Sequence, residues 1–524
     1  MMYRKTLFSF SIALATALCA LGQKIPQSSL LQPYYSPQRS IQTSVHDTYD
    51  SELFTPLEDL HLLSTTKFVH LTHPAFPSYG VRVKKSKFCD GEVNSYTGYI
   101  DIEARHLFFY FFESRRDPEN DDMIFWTNGG PGGSSSLGLF MELGPCRVTA
   151  DNETEYHPES WNEIANVFFV DQPIGTGFSY AEYGESVSTT EEAAKDIAAF
   201  IAIFFEHFTK FKGRALHMAG ESYGGRYIPL FASAVYDQNA YLEDIGMEPI
   251  NLKSIMIGNG MTDSFKMAIS YYDMACTSSG TPILDISTCV RMRQAVPRCE
   301  AFLKQSCIDQ FDMINCAAAN QFCYSEIQVP FLTTGRNPYD YTKMCEGDFA
   351  DTLCYPIMKT IANYLNKNST LATLGIDPNS PAYGNYTVVS FIVNAAFEKT
   401  LDEARPTYFY VEQLLHRGVN ALIYVGANDW ICNWIGNLRW VRALEYGDAF
   451  GSTGHEGDDQ EGLDKLREWG GVLEDGREWE KMGMTARKGG LTFATIDGAG
   501  HTAPYDKPKE SLELLRKWLD GKEL

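Results

Sequence analysis

A serine between two glycines is the first residue of this sequence with the surroundings of a catalytic nucleophile. Residues 220–224 read Gly-Glu-Ser-Tyr-Gly, a G-x-S-x-G motif, after an apolar run at 215–219 and before a segment at 225–236 that can be helical. A strand, a sharp turn and a helix would make the motif a nucleophile elbow, in which glycines relieve crowding around a strained serine. An ordinary glycine-rich turn has the same pattern, so other residues must decide whether Ser222 is catalytic.

Two distant residues could complete the chemistry. A serine hydroxyl needs a base to take its proton, and a histidine base needs a carboxylate to orient it. After such an elbow, the carboxylate precedes the histidine in the chain. An apolar run at 421–426 leads into Asp429, and another at 493–496 leads into His501. Alone, Asp429 could be a turn residue and His501 a surface histidine. Their order, at carboxyl ends of predicted strands, favours a triad with Ser222.

The elements that must position these residues alternate between strand and helix. Short runs rich in β-branched and aromatic residues predict strands at 96–102, 106–113, 122–127, 166–170, 252–257, 421–425 and 491–496. Apolar residues at spacings of three and four predict helices over 193–208 and 510–518. The alternation indicates an α/β fold with a mostly parallel central sheet and helices on both faces. The elbow motif, with its Ser, Asp, His order, is typical of an α/β-hydrolase fold.

Two stretches interrupt that alternation. The cysteine-rich block at about 262–400 is predicted to be an insertion over the end of the sheet where ligands of such folds bind. The polar, glycine-rich stretch at 451–490 is predicted to be a second, surface insertion.

The amino terminus has the features of a secretory signal. Residues 1–22 combine a basic start, an apolar run and a small-residue cleavage site. A membrane anchor is the alternative, but the run is short for a bilayer span of about 20 residues. Residues 23–64, rich in Ser, Gln, Pro and Thr, are predicted to be a removable pro-segment or a loosely ordered lead-in, which leaves 65–524 as the folded domain.

Cysteine usage agrees with export. Of 12 cysteines, loss of the signal would remove Cys19, and eight of the rest lie between Cys276 and Cys354. An oxidising compartment favours pairing, so we expect five disulfides and one odd thiol, with connectivity left open. No C-x-x-C pair occurs, so no metal site is predicted. Three Asn-x-Ser/Thr sequences are candidate glycosylation sites of an exported chain, at Asn152, Asn368 and Asn385.

The charge balance limits the classes of partner. The formal net charge of −23 over 524 residues argues against nucleic acid and anionic membrane surfaces as partners. It suits a soluble protein that works in acid, where part of the charge is neutralised. We expect a monomer or homodimer with no membrane contact after signal removal, in the extracellular space or in a vacuolar or lysosomal compartment.

Longer sequence blocks extend the motif at 220–224. They are residues 126–132 (Trp-Thr-Asn-Gly-Gly-Pro-Gly), 170–180 (Val-Asp-Gln-Pro-Ile-Gly-Thr-Gly-Phe-Ser-Tyr), 426–434 (Gly-Ala-Asn-Asp-Trp-Ile-Cys-Asn-Trp) and 498–501 (Gly-Ala-Gly-His). Together they resemble the serine carboxypeptidase family, in its carboxypeptidase Y-like or fungal carboxypeptidase S1-like branches. The resemblance runs from about residue 96 to the carboxyl terminus.

The resemblance implies a serine-type carboxypeptidase that removes C-terminal residues from peptides and proteins through an acyl-enzyme, with an acidic pH optimum and no cofactor. It implies that Ser222 is the nucleophile, His501 the general base and then acid, and Asp429 its orienting carboxylate. The backbone N–H groups of Gly130 and Tyr223 would form the oxyanion hole.

An exopeptidase must also hold a free carboxylate. The resemblance gives this task to Asn128, Glu142 and Glu221, with Trp126 in support. Two glutamates can face a carboxylate if they share a proton, because neighbouring like charges cannot all ionise. This predicts tighter substrate binding in acid. The alternatives are that Glu142 is an ordinary helix-face residue and that Glu221 is only the variable position of the elbow.

The sequence departs from the family pattern beside the glycine loop. Gly133 stands where the family often has a loop-anchoring cysteine, so Cys89 and Cys146 become candidates for an altered pairing. Cys432 resembles the unpaired family cysteine near the active site. Esterases and acyltransferases share this kind of triad, and a non-catalytic protein on the same scaffold is a further alternative.

Overall fold

The computed structural model describes residues 63–73, 76–89, 91, 93–151, 153–277, 282–446, 463, 465–471 and 480–524. The predicted signal peptide, all but the end of the predicted pro-segment, and Asn152 lie outside these residues. Within them, no helix combines the length and the apolar character needed to cross a bilayer.

The strands and helices have the following bounds. The strands are β1 Val69–His73, β2 Phe76–Ser86, β3 Ser95–Ile102, β4 Arg105–Phe112, β5 Met123–Thr127, β6 Cys146–Ala150, β7 Glu153–Tyr156, β8 Asn166–Val170, β9 Tyr180–Ala181, β10 Leu216–Ser222, β11 Leu252–Gly260, β12 Arg336–Asn337, β13 Asp340–Met344, β14 Asn420–Gly426, β15 Arg467–Gly471, β16 Glu480–Lys488 and β17 Leu491–Ile496. The α-helices are α1 Thr190–His207, α2 Gly224–Asp244, α3 Ser264–Cys276, α4 Ile286–Leu303, α5 Met313–Cys323, α6 Val329–Leu332, α7 Phe349–Thr352, α8 Ile357–Leu365, α9 Asn368–Leu374, α10 Phe391–Thr400, α11 Tyr408–His416, α12 Trp434–Arg442, α13 Ala503–Asp506 and α14 Pro508–Leu519.

A mixed sheet forms the centre of the described chain. Its order is β1-β2-β3-β4-β8-β5-β10-β11-β14-β17-β16-β15, and β9 pairs with β4. The six strands from β8 to β17 run parallel, and the strands beyond them on both sides are antiparallel. The predicted α/β fold is confirmed, with the parallel arrangement confined to the middle of the sheet.

Helices cover both faces of this sheet. Along β4, Phe109 and Phe111 pack against Phe200 and Phe204 of α1. The alternate residues of β4, including Phe108, belong to a second buried cluster on the opposite face, as the two-residue period of a strand requires. Because these parallel strands are covered on both faces, their residues form continuous apolar runs in the sequence. The sequence therefore predicted the bounds of these strands to within a few residues.

The prediction of a surface insertion at 451–490 is wrong for its described part. Residues of β15 and β16 extend the central sheet: β16 pairs antiparallel with β17, and β15 pairs antiparallel with β16. Glycine and charged residues interrupt the apolar alternation of these strands, because strands at and next to the edge of a sheet bury only part of their surface. The same reason applies to β1 and β2 at the other edge, which the sequence did not predict.

The block between β11 and α11 consists of helices α3 to α10 and the small hairpin of β12 and β13. Four disulfides lie within it and join the eight clustered cysteines: Cys276–Cys289, Cys299–Cys323, Cys307–Cys316 and Cys345–Cys354. Cys89 pairs with Cys146, and Cys432 is unpaired and buried. The expected five disulfides and one odd thiol are thus confirmed among the described cysteines.

Candidate active site

Ser222 occupies the sharp turn that the G-x-S-x-G motif predicts. It ends β10 with φ at 59°, and α2 begins two residues later. Positive φ is uncommon for a residue with a side chain, and such strained residues cluster at active sites. The flanking glycines permit close packing, because a Cβ on Gly220 would lie 2.8 Å from the Thr127 carbonyl oxygen.

The structure brings Asp429 and His501 together. Asp429 lies three residues beyond β14 and His501 five beyond β17, and these two parallel strands are neighbours. His501 Nδ1 lies 2.8 Å from Asp429 Oδ2, which makes the carboxylate the acceptor of the imidazole N–H. Both side chains are buried, Asp429 completely. In this arrangement Nε2 of His501 does not contact the carboxylate and can act as a base.

Cys432 connects this pair to the serine. Its thiol hydrogen-bonds with Ser222, and its sulfur lies within 4.8 Å of the facing donor atoms of Asp429 and His501. Within the described ranges, this is the one group of three such side chains close enough to hold a metal ion. Burial raises the pKa of the Cys432 thiol well above its usual range, so it stays neutral. A cation here would take up the imidazole that a serine nucleophile would need, so a metal site and the predicted triad exclude each other.

Asn259 is a site residue that the sequence reasoning missed. Its side-chain amide donates to Asp429 Oδ2 at 2.8 Å and to the Gly500 carbonyl at 3.3 Å, and its oxygen accepts from the Gly426 N–H at 3.1 Å. It therefore links the ends of β11 and β14 to the histidine loop. In the sequence it is only an asparagine between two glycines after an apolar run, a pattern that a turn would share.

Replacing Asn259 with alanine is expected to lower kcat by about ten- to a hundredfold with little change in KM, because Asp429 loses a fixed donor and its angle to His501 relaxes. Steady-state kinetics, corrected for the fraction of folded enzyme, measure this. Asn251→Ala is the matched control, since that amide donates to Gly213 at the opposite end of β11. Equal kcat values for both variants and the wild type would contradict the role of Asn259.

The glycine loop at 129–132 packs directly on the elbow. A Cβ on Gly129 would lie 2.3 Å from the backbone nitrogen of Tyr223, and Gly130 has φ at +116°. Neither the Gly130 nor the Tyr223 N–H donates a hydrogen bond to any described residue. Two unpaired N–H groups beside a serine can stabilise the charge that develops on a carbonyl oxygen under attack.

A buried carboxylate holds this loop in place. Asp171 accepts hydrogen bonds from the Ser134 hydroxyl at 2.6 Å and from the Ser135 N–H at 3.0 Å. The hydroxyl of Tyr386, in the insertion, donates to Ser134 at 2.8 Å. Burial raises the pKa of Asp171 to about 6. Polar contacts to Asp171 and Tyr386 therefore anchor the loop beside Gly133, and the disulfide between Cys89 and Cys146 does not involve the loop.

Asn128 forms the centre of a polar cluster next to the serine. Its side-chain amide donates to Glu142 Oε1 at 3.1 Å and to Glu221 Oε1 at 2.7 Å. Its side-chain oxygen accepts from the Trp126 ring N–H and from the Gly138 N–H, both at 2.9 Å. These donors fix the amide orientation. The predicted carboxylate-binding residues are thus together, and they adjoin Ser222 through Glu221.

The two glutamates are arranged so that they can share a proton. Both are buried and accept from the same Asn128 amide, and their carboxyl groups are close enough for one, when protonated, to donate to the other. Burial raises the pKa of Glu142, and burial together with the charge of Glu142 raises the pKa of Glu221 well above its usual range. The pair can therefore present an O–H donor to a bound anion.

Comparison with known proteins identifies the family of this chain. A family model described as serine carboxypeptidase matches residues 87–521. The chain belongs to the serine carboxypeptidase family. It is a serine-type peptide hydrolase.

Related serine carboxypeptidases cover most of the chain. Carboxypeptidase Y homolog A of Talaromyces marneffei is 39% identical over 451 residues, which span 85% of this chain and 76% of that protein. The homologue from Sclerotinia sclerotiorum is 39% identical over 448 residues, or 84% of this chain and 76% of its own length. A solved structure of Kex1(Δ)p, a prohormone-processing carboxypeptidase from Saccharomyces cerevisiae, covers 90% of this chain and 96% of its own, with a TM-score of 0.66 and 22% identity. At that identity, the likeness shows the fold.

Two of the three candidate glycosylation sites of this serine carboxypeptidase can be located. Asn368 begins α9 and Asn385 lies in the segment before α10, and both side chains are exposed. Their exposure is what a glycan requires.

Proposed function

We propose that this serine carboxypeptidase releases single residues from the C-termini of peptides and proteins, with Ser222, His501 and Asp429 as its triad. One observation carries the proposal: a buried pair of glutamates with raised pKa values adjoins a strained serine, and Cys432 lies between that serine and the buried Asp429–His501 pair. An esterase has no use for a carboxylate-binding cluster at this position, because its substrate has no terminal carboxylate.

The proposed reaction proceeds in two halves. His501 takes the proton of Ser222 as the hydroxyl oxygen attacks the carbonyl carbon, and the resulting oxyanion accepts from the N–H groups of Gly130 and Tyr223. His501 then gives the proton to the leaving amine, and the last residue departs as a free amino acid. Water, deprotonated by the same imidazole, attacks the acyl-enzyme and restores Ser222. Asp429 holds the imidazole orientation throughout.

Glu221 would restrict cleavage to the last peptide bond. It precedes Ser222 in the chain, so a terminal carboxylate held by Asn128 and the glutamate pair would place the carbonyl of the preceding residue at the Ser222 hydroxyl. A free C-terminus can make both contacts at once. An internal peptide bond offers no carboxylate there and leaves the buried donors unpaired, which costs binding energy.

The KM for peptide substrates is expected to rise as the pH is raised from about 4 to about 8. The raised pKa values keep the shared proton in place at low pH, and its loss at higher pH leaves two negative charges facing the substrate carboxylate. Steady-state kinetics on an N-blocked dipeptide across this range measure the effect. Glu221→Gln keeps an N–H donor at every pH and should show a flatter profile; a flat wild-type profile would sink the proton-sharing account.

A direct test compares three substrates that share the blocked amino acid on the acyl side and differ in the group released. The enzyme should release the last residue from an N-blocked dipeptide with a free carboxylate far faster than from its amide, and it should prefer that dipeptide to a simple ester of the blocked amino acid. Equal rates on acid and amide would contradict the exopeptidase proposal and favour a general esterase or endopeptidase.

The proposal extends to location. Five disulfides among the described residues suit an oxidising compartment, and exposed Asn368 and Asn385 suit glycosylation. They support export through the secretory pathway, to the exterior or to a vacuolar or lysosomal compartment, with 65–524 as the mature domain.

A further inference from the structure

A hairpin of the insertion touches both loops that carry the Asp429–His501 pair. The hairpin consists of β12 and β13, joined by the two residues Pro338 and Tyr339. It comes from a part of the chain about 90 residues before Asp429 and 160 before His501. Its side chains were not singled out by any sequence motif.

The contacts of this turn are backbone hydrogen bonds to the two loops. The Pro338 carbonyl accepts from the N–H groups of Trp430 at 3.2 Å and Ile431 at 3.0 Å, directly after Asp429. The next carbonyl, that of Tyr339, accepts from the His501 N–H at 2.7 Å. Two consecutive carbonyls therefore fix the two loops relative to each other.

A third contact and a ring contact strengthen the connection. The Tyr341 N–H donates to the Asn428 carbonyl at 3.0 Å, so the hairpin holds the Asp429 loop on both sides of the carboxylate. The Tyr339 ring lies 5.0 Å from the His501 ring, centroid to centroid. The conformation of residues 338–339 thereby sets the spacing of the proposed base and its orienter.

One side chain controls that conformation. Asn337 is buried, and its side-chain oxygen accepts from the Tyr339 N–H at 2.9 Å. This is an Asx turn, in which the side chain replaces a backbone acceptor and holds the turn closed. At the open end, the Cys345 N–H donates to Gly335 at 3.0 Å and Cys345 is joined to Cys354, so the hairpin is fixed at its base as well.

We infer that Asn337 is a positioning residue for catalysis, which aligns His501 and Asp429 through the carbonyls of Pro338 and Tyr339; the inference rests on the proposed triad. The strands β14 and β17 bring the two loops to one edge of the sheet, but the loops run three and five residues beyond those strands. The hairpin supplies the contacts that the sheet cannot. A shift of about 1 Å between catalytic groups can cost about a hundredfold in rate.

The test is kcat per active site in Asn337→Ala, with active sites counted by complete fluorophosphonate labelling. Loss of the acceptor should lower kcat per site by at least about tenfold with KM nearly unchanged. Asn337→Ser should recover most of the loss, because a hydroxyl accepts the same N–H without adding a charge. Asp377→Ala is the control: Asp377 Oδ1 accepts from the Asn379 N–H at 2.8 Å in another turn of the insertion, and kcat should not change.

A variant that merely misfolds in part would lose active sites and keep its kcat per site, and that result would overturn the inference. Failure of the wild type to react with the reagent at Ser222 would instead overturn the proposed triad, so the two failures are distinguishable. If Asn337→Ala does not fold, amide exchange on the wild-type enzyme decides. The His501 and Ile431 amides should be protected, and exchange at free-peptide rates would overturn the inference.

Discussion

Replacing Ser222 with alanine is expected to lower kcat by about 10⁶-fold, the loss seen when a triad nucleophile is removed. The hydroxyl is the group that bonds to the substrate carbonyl, and no neighbouring side chain can replace it, because the Cys432 thiol is held neutral by burial. Substrate affinity should persist, since Asn128 and the two glutamates are untouched. Sensitive product detection for the rate and equilibrium binding of a blocked dipeptide measure the two effects.

The control for this substitution is Ser233→Ala on α2, the helix that begins two residues after Ser222. The Ser233 hydroxyl donates to the Pro229 carbonyl at 2.8 Å, within α2 and away from the cluster. Its removal should leave kcat close to the wild-type value. A Ser222→Ala enzyme that retains more than about a hundredth of wild-type kcat would show that another group attacks the substrate.

Asp429→Asn is expected to lower kcat by about 10⁴-fold, with the folded state retained. The carboxylate accepts at one oxygen from both His501 Nδ1 and the Asn259 amide. An isosteric amide would either turn an N–H group toward these donors or leave them unpaired, and the imidazole would adopt the tautomer that cannot take the serine proton. The measurement is kcat for a blocked dipeptide at the pH of maximum wild-type activity.

The loss of kcat in Asp429→Asn reports on catalysis only if the variant keeps the wild-type fold. Asp273→Asn is the matched control, because Asp273 is a partly buried carboxylate paired with Arg439 at 2.5 Å on the helical side of the insertion. It should keep kcat near the wild-type value. A loss of less than about tenfold in Asp429→Asn would mean that the carboxylate does not orient His501.

The parts of the fold that the sequence predicted are those where a short segment carries its own signal. The parallel strands are buried on both faces, so β8 and β17 are continuous apolar runs, and their predicted bounds agree with the structure. The apolar stripe of α1 predicted that helix in the same way, and the structure begins it at Thr190 with Thr189 as its cap. Ser222, Asp429 and His501 could be proposed because each follows such a strand.

The features that the sequence did not predict depend on contacts between distant segments. Asn259 has no local pattern that distinguishes it from a turn residue, and its role appears only when β11 lies beside β14. Asn337 acts through backbone carbonyls, which carry no sequence signature. Strand β16 was assigned to a surface insertion because it buries only part of its surface. The disulfide partners depend on the packing of α4 and α5, which cysteine spacing does not determine.

Fluorophosphonate labelling followed by peptide mapping tests the central claim most directly, because the claim is that Ser222 becomes nucleophilic beside His501. The account predicts one equivalent of reagent per folded chain, bound to Ser222, and a loss of carboxypeptidase activity in proportion to the modification. Full activity after complete modification of Ser222, or full inactivation with Ser222 unmodified, would contradict it.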